Sequence, residues 1–387
     1  MNTNKILRQI TFEIYKQRPV MPEEMRTNYR IERANGGLLC DLWFLTSGCT
    51  HDANGGCVMC NYGKGSGAVN WERICGELER IVRQFPWKFE DFLLTPSGSM
   101  LDEREVSRDM RRDLTEILKD VHAKRFIIET RADTISESGI SFIREVIPEA
   151  EKYIEIGVES SDNWVLKYCL NKNIAYEMFQ AAVCKIHEAG MYVTANIGLG
   201  FPFMSERASV CNTVRSVRNV LRDGADSVVL FPYHVKRGTL LDVMEKNGMY
   251  DCVSFWALAE TLACFSEEEL SKIQISWYKD YFGEEKSYIR RSPGTCSECE
   301  RDVLKKLDAY RETQAPDIVS SLVEYPCLCH ENWKRKIAGE SEQTQIEAVM
   351  ENYRRLAELY SVDSRMLERE LVVMQEEFEK KYEGTGK

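Results

Sequence analysis

The chain has 387 residues, of which 43% are hydrophobic and 29% charged, and its 51 Lys+Arg against 62 Asp+Glu give a formal charge of −11. That composition excludes a disordered chain, and the length suffices for one large α/β barrel with an appendage. The acidic balance excludes a general charge-driven affinity for nucleic acid while leaving room for a local basic groove. With no apolar run long enough to span a bilayer and no export signal near the start, a cytoplasmic protein without membrane contact is expected.

Residues 1–37 read as an N-terminal helix and a lead-in. Short apolar runs then recur at Leu38–Leu45, Phe89–Leu94, Phe126–Glu129, Tyr153–Val158, Tyr192–Leu199 and Ser227–Tyr233. Helical patterns at Trp71–Phe85, Glu103–Val121, Tyr176–Ala189 and Arg207–Leu221 fill most of the gaps. Strand alternating with helix predicts βαβ units and a parallel sheet. Six units, with a candidate seventh strand at Ile273–Tyr278, predict an α/β fold: a partial (βα)6-type TIM barrel over residues 38–282, its site at the C-terminal strand ends. Residues 283–339 read as a cysteine-containing metal-binding segment, and residues 340–387 as helices with solvated acidic faces.

A protein that keeps its thiols reduced uses clustered cysteines for metal or redox chemistry rather than for disulfides. Of the 14 cysteines, Cys40, Cys75, Cys169, Cys184, Cys211, Cys252 and Cys264 stand singly and read as small buried apolar residues. The other seven are grouped. Cys49, Cys57 and Cys60 follow the first predicted strand in a Cys-x7-Cys-x2-Cys loop containing Gly48, Gly55, Gly56 and Gly63. A structural zinc site wants four ligands, and only His51 offers a local fourth. A [4Fe–4S] cluster held by three thiolates keeps one iron open for another ligand.

This loop, with Met59 and Tyr62 around its last cysteine, resembles the radical S-adenosylmethionine (radical SAM) enzymes. Its long first gap and its Gly-Gly-Cys-x-Met-Cys run are similar to the branch containing the Elongator catalytic subunit and the archaeosine-forming proteins. The resemblance spans roughly residues 35 to 330. It implies that Cys49, Cys57 and Cys60 hold a [4Fe–4S] cluster, that SAM binds its open iron, and that an electron donor drives SAM cleavage to a 5′-deoxyadenosyl radical that abstracts a substrate hydrogen. It further implies SAM contacts. Ser97, Gly98 and Ser99 stand where the family has a glycine-rich turn, although the usual Gly-Gly-Glu is missing and a plain helix-capping turn fits as well. Arg131, in Glu-Thr-Arg-x-Asp, is placed at the SAM carboxylate or else pairs with Glu129. Glu159 and Ser160 end a Gly-Val-Glu-Ser strand motif, Gly198 lets adenine approach the strand or else marks a barrel bend, and Tyr62 borders the cluster. His234 and Lys236 read as substrate contacts or as a solvated strand end.

Cys296, Cys299, Cys327 and Cys329 form two close pairs that fit a zinc site, with an auxiliary [4Fe–4S] cluster as the competing reading and His330 as a reserve ligand. Around them Arg290, Arg291, Lys305, Lys306, Lys334, Arg335 and Lys336 form local basic clusters. The resemblance points to a modified tRNA nucleoside as substrate and to tRNA or a tRNA-modifying protein as partner. A small metabolite, a peptide, or a non-catalytic metal-bound scaffold are the alternatives.

Overall fold

The computed structural model describes residues 4–20, 27–63, 69–85, 88–280 and 288–383. The expected boundary between barrel and cysteine segment, at 282/283, lies outside the described residues. The sheet strands are β1 (Thr27–Ala34), β2 (Gly37–Phe44), β3 (Lys88–Pro96), β4 (His122–Thr130), β5 (Glu151–Glu159), β6 (Tyr192–Leu199) and β7 (Ser227–Pro232), followed by the short β8 (Val235–Lys236), β9 (Ile273–Ile275) and β10 (Ile289–Arg291). One eight-stranded sheet runs β1-β2-β3-β4-β5-β6-β7-β9, and β8 pairs with β10 in a separate ladder. From β2 to β9 the pairing is parallel, and the sheet curls into a half-barrel. The candidate seventh strand is present, trimmed to Ile273–Ile275.

The lead-in contains more than a helix. β1 pairs antiparallel with β2 across Asn35-Gly36, both at positive φ. This is the backbone that an Asn-Gly hairpin turn requires, so the turn dipeptide was the available signal for this edge strand. Helices Trp71–Val82, Arg108–Ile117, Glu137–Glu145, Tyr176–Glu188 and Glu206–Arg222 occupy the crossovers. Asn70, Ser107, Ser136 and Ser205 cap four of them by accepting backbone N–H groups of the first turn, which satisfies donors the helix itself leaves open.

The two faces of the sheet differ. Phe126 and Ile128 of β4, Ile154 and Ile156 of β5, and Val193, Ala195 and Ile197 of β6 pack into one core with Leu78, Leu114, Phe142, Phe179 and Val217 of the helices. The alternate residues face the concave side and include Glu129, Glu155, Thr194 and Asn196, as the two-residue period of a strand dictates. A second core joins Ile6, Leu7 and Ile10 of the N-terminal helix Lys5–Gln17 to Val58, Met59, Trp164, Tyr168, Leu241, Tyr353, Leu356, Leu371 and Met374. Helices Ile346–Leu359 and Ser364–Glu383 therefore bury an apolar stripe beneath their acidic faces. Each fully buried Leu or Ile there contributes about 1.5–3 kcal/mol.

The single cysteines do not share one environment. Cys40 and Cys169 are buried, but Cys184 and Cys264 are exposed and Cys75, Cys211 and Cys252 are half-buried. Cys184 lies on a helix whose inward face is taken by Phe179, Ala182, Val183 and Ile186, which leaves it on the outer side. Among the described residues no helix is long and apolar enough to cross a membrane.

Candidate active site

The three-cysteine loop leaves β2 at the C-terminal mouth of the half-barrel and is fastened at both ends. Cys49 N–H donates to the Tyr62 carbonyl at 3.0 Å. Gly48, at φ +96°, lies so close to Gly63 that a Cβ would strike its carbonyl; only glycine fits there. Asp52 is buried and accepts from Gly63 N–H at 2.6 Å and from the buried guanidinium of Arg18, whose Nε also donates to the Gly238 carbonyl at 2.8 Å. The Cys57–Cys60 turn is strapped from both sides: Val58 N–H donates to Leu170 O, and Leu241 N–H donates to Val58 O, each at 3.1 Å. Asn171 donates to the Gly55 and Gly56 carbonyls. Val58 and Met59 then sink into the second core.

All three thiols sit in this loop half-buried. Burial pushes the Cys49 thiol up to about 12, opposed by Arg131. It raises Cys57, opposed by Lys172, and Cys60, opposed by Lys236 and Arg18. Arg131 Nη1 stands 3.8 Å from Cys49 Sγ. A half-buried setting with a cation bearing on each sulfur suits thiolates neutralised by a bound metal. His51 turns its Nε2 to the Asn171 carbonyl at 3.0 Å. The loop offers three sulfur ligands, which fits a cluster with one open iron better than a closed zinc site.

The turn after β3 lies against this loop. Ser97 is buried and holds Thr46 through its hydroxyl and carbonyl. Gly98 leaves the space next to Glu105 that a side chain would fill. Ser99 shares a hydrogen bond with Thr130 at 2.5 Å and accepts from Arg131 N–H at 3.1 Å. Nothing in the local spacing marks Glu105, yet it is the hub. Its buried carboxylate accepts from Ser99 N–H (2.6 Å), Thr50 N–H and hydroxyl (2.8 Å each) and Arg131 Nη1 (2.8 Å). It ties together the cysteine loop, the serine turn and the end of β4. Arg131 also pairs with Asp102 at 2.6 Å and Asp133 at 3.1 Å. The alternative pairing of Arg131 with Glu129 is not what forms: Arg131 follows the end of β4 and turns toward Asp102 and Glu105, while Glu129 receives the Asn196 amide at 3.3 Å.

Glu159 ends β5 at φ +69°, beside an irregularity in the β5–β6 ladder. A non-glycine residue holds that conformation only when its surroundings dictate it. Here Lys172 donates to one carboxylate oxygen at 3.1 Å and the Tyr233 hydroxyl to the other at 3.0 Å, all three side chains buried. Lys172, not evident from sequence, thus links Glu159 to the environment of Cys57. Ser160 donates to Asn212 at 2.8 Å and accepts from Asp162 N–H. The bare face of Gly198 is covered by the Tyr233 ring. Lys236 Nζ lies 4.9 Å from the Tyr62 ring centre and 5.9 Å from that of Trp277. The solvated strand end expected at His234 is absent: the ring is buried between the Trp277 carbonyl and the Ser292 hydroxyl, and burial pushes its pKa down to about 4.

The back cysteines converge. Their sulfurs stand 3.6 Å apart for Cys296–Cys299 and Cys296–Cys327, 3.5 Å for Cys299–Cys329 and 3.4 Å for Cys327–Cys329, a group that could hold a metal ion. Trp256 donates its indole N–H to Cys329 Sγ at 3.3 Å and stacks on His330. His330 Nδ1 faces the Tyr325 carbonyl at 3.2 Å, and the group of sulfurs close enough to share a metal does not include this histidine. The surrounding basic residues are largely neutralised. Arg290 pairs with Asp242 and Glu245, Arg291 with Glu245 and Asp251, Lys305 with Asp302, Lys334 with Glu331 and Lys336 with Glu206.

The second strand of a curled parallel sheet thus hands on to a three-cysteine loop at its C-terminal mouth. No protein-family model matches the chain. It is related to archaeosine synthase subunit beta of Methanosarcina acetivorans, with 26% identity over 297 residues, 76% of this chain and 83% of that protein. The protein of the same name from Thermococcus kodakarensis is 24% identical over 284 residues, 72% of this chain and 85% of its own. Among solved structures, an N-terminally deleted Elp3 from Methanocaldococcus infernus aligns over 62% of this chain and 58% of its own, with 18% identity and a TM-score of 0.45. Methylornithine synthase aligns over 96% and 93% with 14% identity and a TM-score of 0.47. Neither structural likeness bears on this chain's activity.

Proposed function

We propose that Cys49, Cys57 and Cys60 hold a [4Fe–4S] cluster at which SAM is reductively cleaved, and that the substrate is a modified tRNA nucleoside of the archaeosine type. The observation that carries this reading is a single loop presenting three thiols at the C-terminal mouth of a parallel half-barrel. The cluster supplies the electron and the open iron; the chain's own side chains bind, orient and exclude water. Ser97, Gly98, Ser99, Arg131, Glu159, Ser160 and Tyr62 are the SAM-side residues in this reading, with Glu105 and Lys172 as positioning residues that fix Arg131 and Glu159, while the Tyr233 ring over Gly198 takes the place expected for adenine. The relatives named archaeosine synthase subunit beta support the tRNA substrate, against which the −11 charge stands.

We assign zinc to the back cysteines on size. A Zn–S bond of about 2.3 Å in a tetrahedron sets its sulfurs about 3.8 Å apart, close to the spacing here, whereas a four-iron cube spreads its thiolates further. The deciding experiment is anaerobic reconstitution of the chain and of Cys57→Ala with iron, sulfide and reductant. Iron content is then measured, and mass analysis follows methionine, 5′-deoxyadenosine and the nucleosides of added tRNA. Loss of iron and of SAM cleavage in Cys57→Ala is expected; parental levels of both would overturn the assignment.

A further inference from the structure

The concave face of the sheet carries charge that the reading above does not use. Glu129 of β4 and Glu155 of β5 are register partners, side by side on one face. Among the described residues neither carboxylate has an ion-pair partner, although Lys236 bears on Glu129 and Arg311 on Glu155 from further off. Two adjacent carboxylates, Glu155 buried and Glu129 half-buried, are costly to keep charged without a bound counter-charge. Asn196 and Arg311 relieve Glu155 in part and Lys236 relieves Glu129 in part, while Asp41 of β2 bears on both, Asp91 of β3 on Glu155 and Glu159 on Glu129 with the same sign.

Two further features mark the spot as a place for a ligand. Asn196 is 7% exposed and donates its amide N–H to Glu129, while its Oδ1 is buried with no partner. Its register partner on β5 is Gly157, two residues beyond Glu155. A side chain built at Gly157 would meet Lys172 Nζ at 3.2 Å and Glu159 Oε1 at 3.4 Å, so the glycine leaves the space between those groups and Glu155 open. The place adjoins the cysteine loop. Tyr62, two residues after Cys60, has its hydroxyl pushed up by burial and then by Glu129 and Cys60 together.

We propose that this face holds a protonated primary amine of the substrate, with the Glu129 and Glu155 carboxylates and Asn196 Oδ1 accepting its three N–H bonds. An ammonium offers three donors and no acceptor, which matches three acceptors that make no ion pair among the described residues. The assignment rests on the cysteine loop being the reactive centre, since that is what makes the amine part of a substrate. Without the amine the pair retains a proton near neutral pH: burial pushes Glu155 up to about 7 and Glu129 well above the usual range. Amine binding favours both carboxylates charged and therefore releases protons.

The test is calorimetric titration of the full chain near pH 7 with n-butylammonium and with neutral 1-butanol, in two buffers of different ionisation heat. The parent is expected to bind the ammonium and not the alcohol, with proton release. Glu129→Gln and Glu155→Gln are each expected to weaken ammonium binding at least about tenfold, the loss of roughly one charge-assisted hydrogen bond. Absence of ammonium binding, equal binding of the alcohol, or parental affinity in folded glutamine variants would overturn the proposal. Should a variant fail to fold, the ammonium–alcohol comparison and the proton release of the parent still decide. The titration reads neither iron nor SAM, so failure of the cluster assignment shows separately, in the Cys57→Ala experiment.

Discussion

Replacing Asp52 by Ala should both destabilise the chain and open the cysteine loop. Asp52 is 2% exposed and Arg18 7% exposed, so removing the carboxylate strands a guanidinium away from water. Breaking a buried pair from one side costs about 3–5 kcal/mol, most of it the uncompensated charge. The same change frees the Gly63 N–H that Asp52 accepts at 2.6 Å, one of the contacts closing the loop. Unfolding followed by tryptophan fluorescence in urea gives the stability change, and iron content after anaerobic reconstitution gives the state of the loop. Asp52→Asn should lose less, because its carbonyl still accepts from Gly63. The double variant Arg18→Met/Asp52→Ala should recover much of the loss, since a buried pair is costly chiefly when half of it is removed. A change below about 1 kcal/mol in Asp52→Ala, with parental iron uptake, would refute the claim that this pair clamps the loop.

Metal analysis of the chain with Cys49, Cys57 and Cys60 all replaced by Ala should find one zinc and no iron; about four irons would turn the back site into an auxiliary cluster, and no metal would leave four thiols. Glu155 makes stability depend on pH. Its folded value of about 7 exceeds the unfolded 4.5, so the folded state binds more protons, and stability present below pH 4.5 is lost as pH rises through about 7. That displacement corresponds to about 3 kcal/mol. Melting temperatures at pH 5 and 7.5 should therefore converge in Glu155→Gln, and an unchanged gap would count against the charged, buried state of this residue.

What was legible in sequence is what lies close along the chain. Short apolar runs such as Phe126–Ile128 and the β–α rhythm around them announce a parallel sheet, because its strands are covered on both faces. The three front cysteines share one loop, and the back cysteines form two pairs near helix starts, so their spacing carries the chemistry with little help from the fold. The Asn35-Gly36 turn announces the edge hairpin in the same local way. Tertiary structure alone brings Glu105 onto Thr50 and Arg131, Lys172 onto Glu159, and Arg18 onto Asp52, and it sets Asn196 beside Glu129 across two strand registers. It alone joins Ile6 and Leu7 to Tyr353 and Leu356 in the core that carries Val58 and Met59. These contacts are decided by where separate segments cross, by the burial each gains there and by the charge each must neutralise. None of these leaves a periodic mark on the chain, so they become readable only when the barrel has closed around its own mouth.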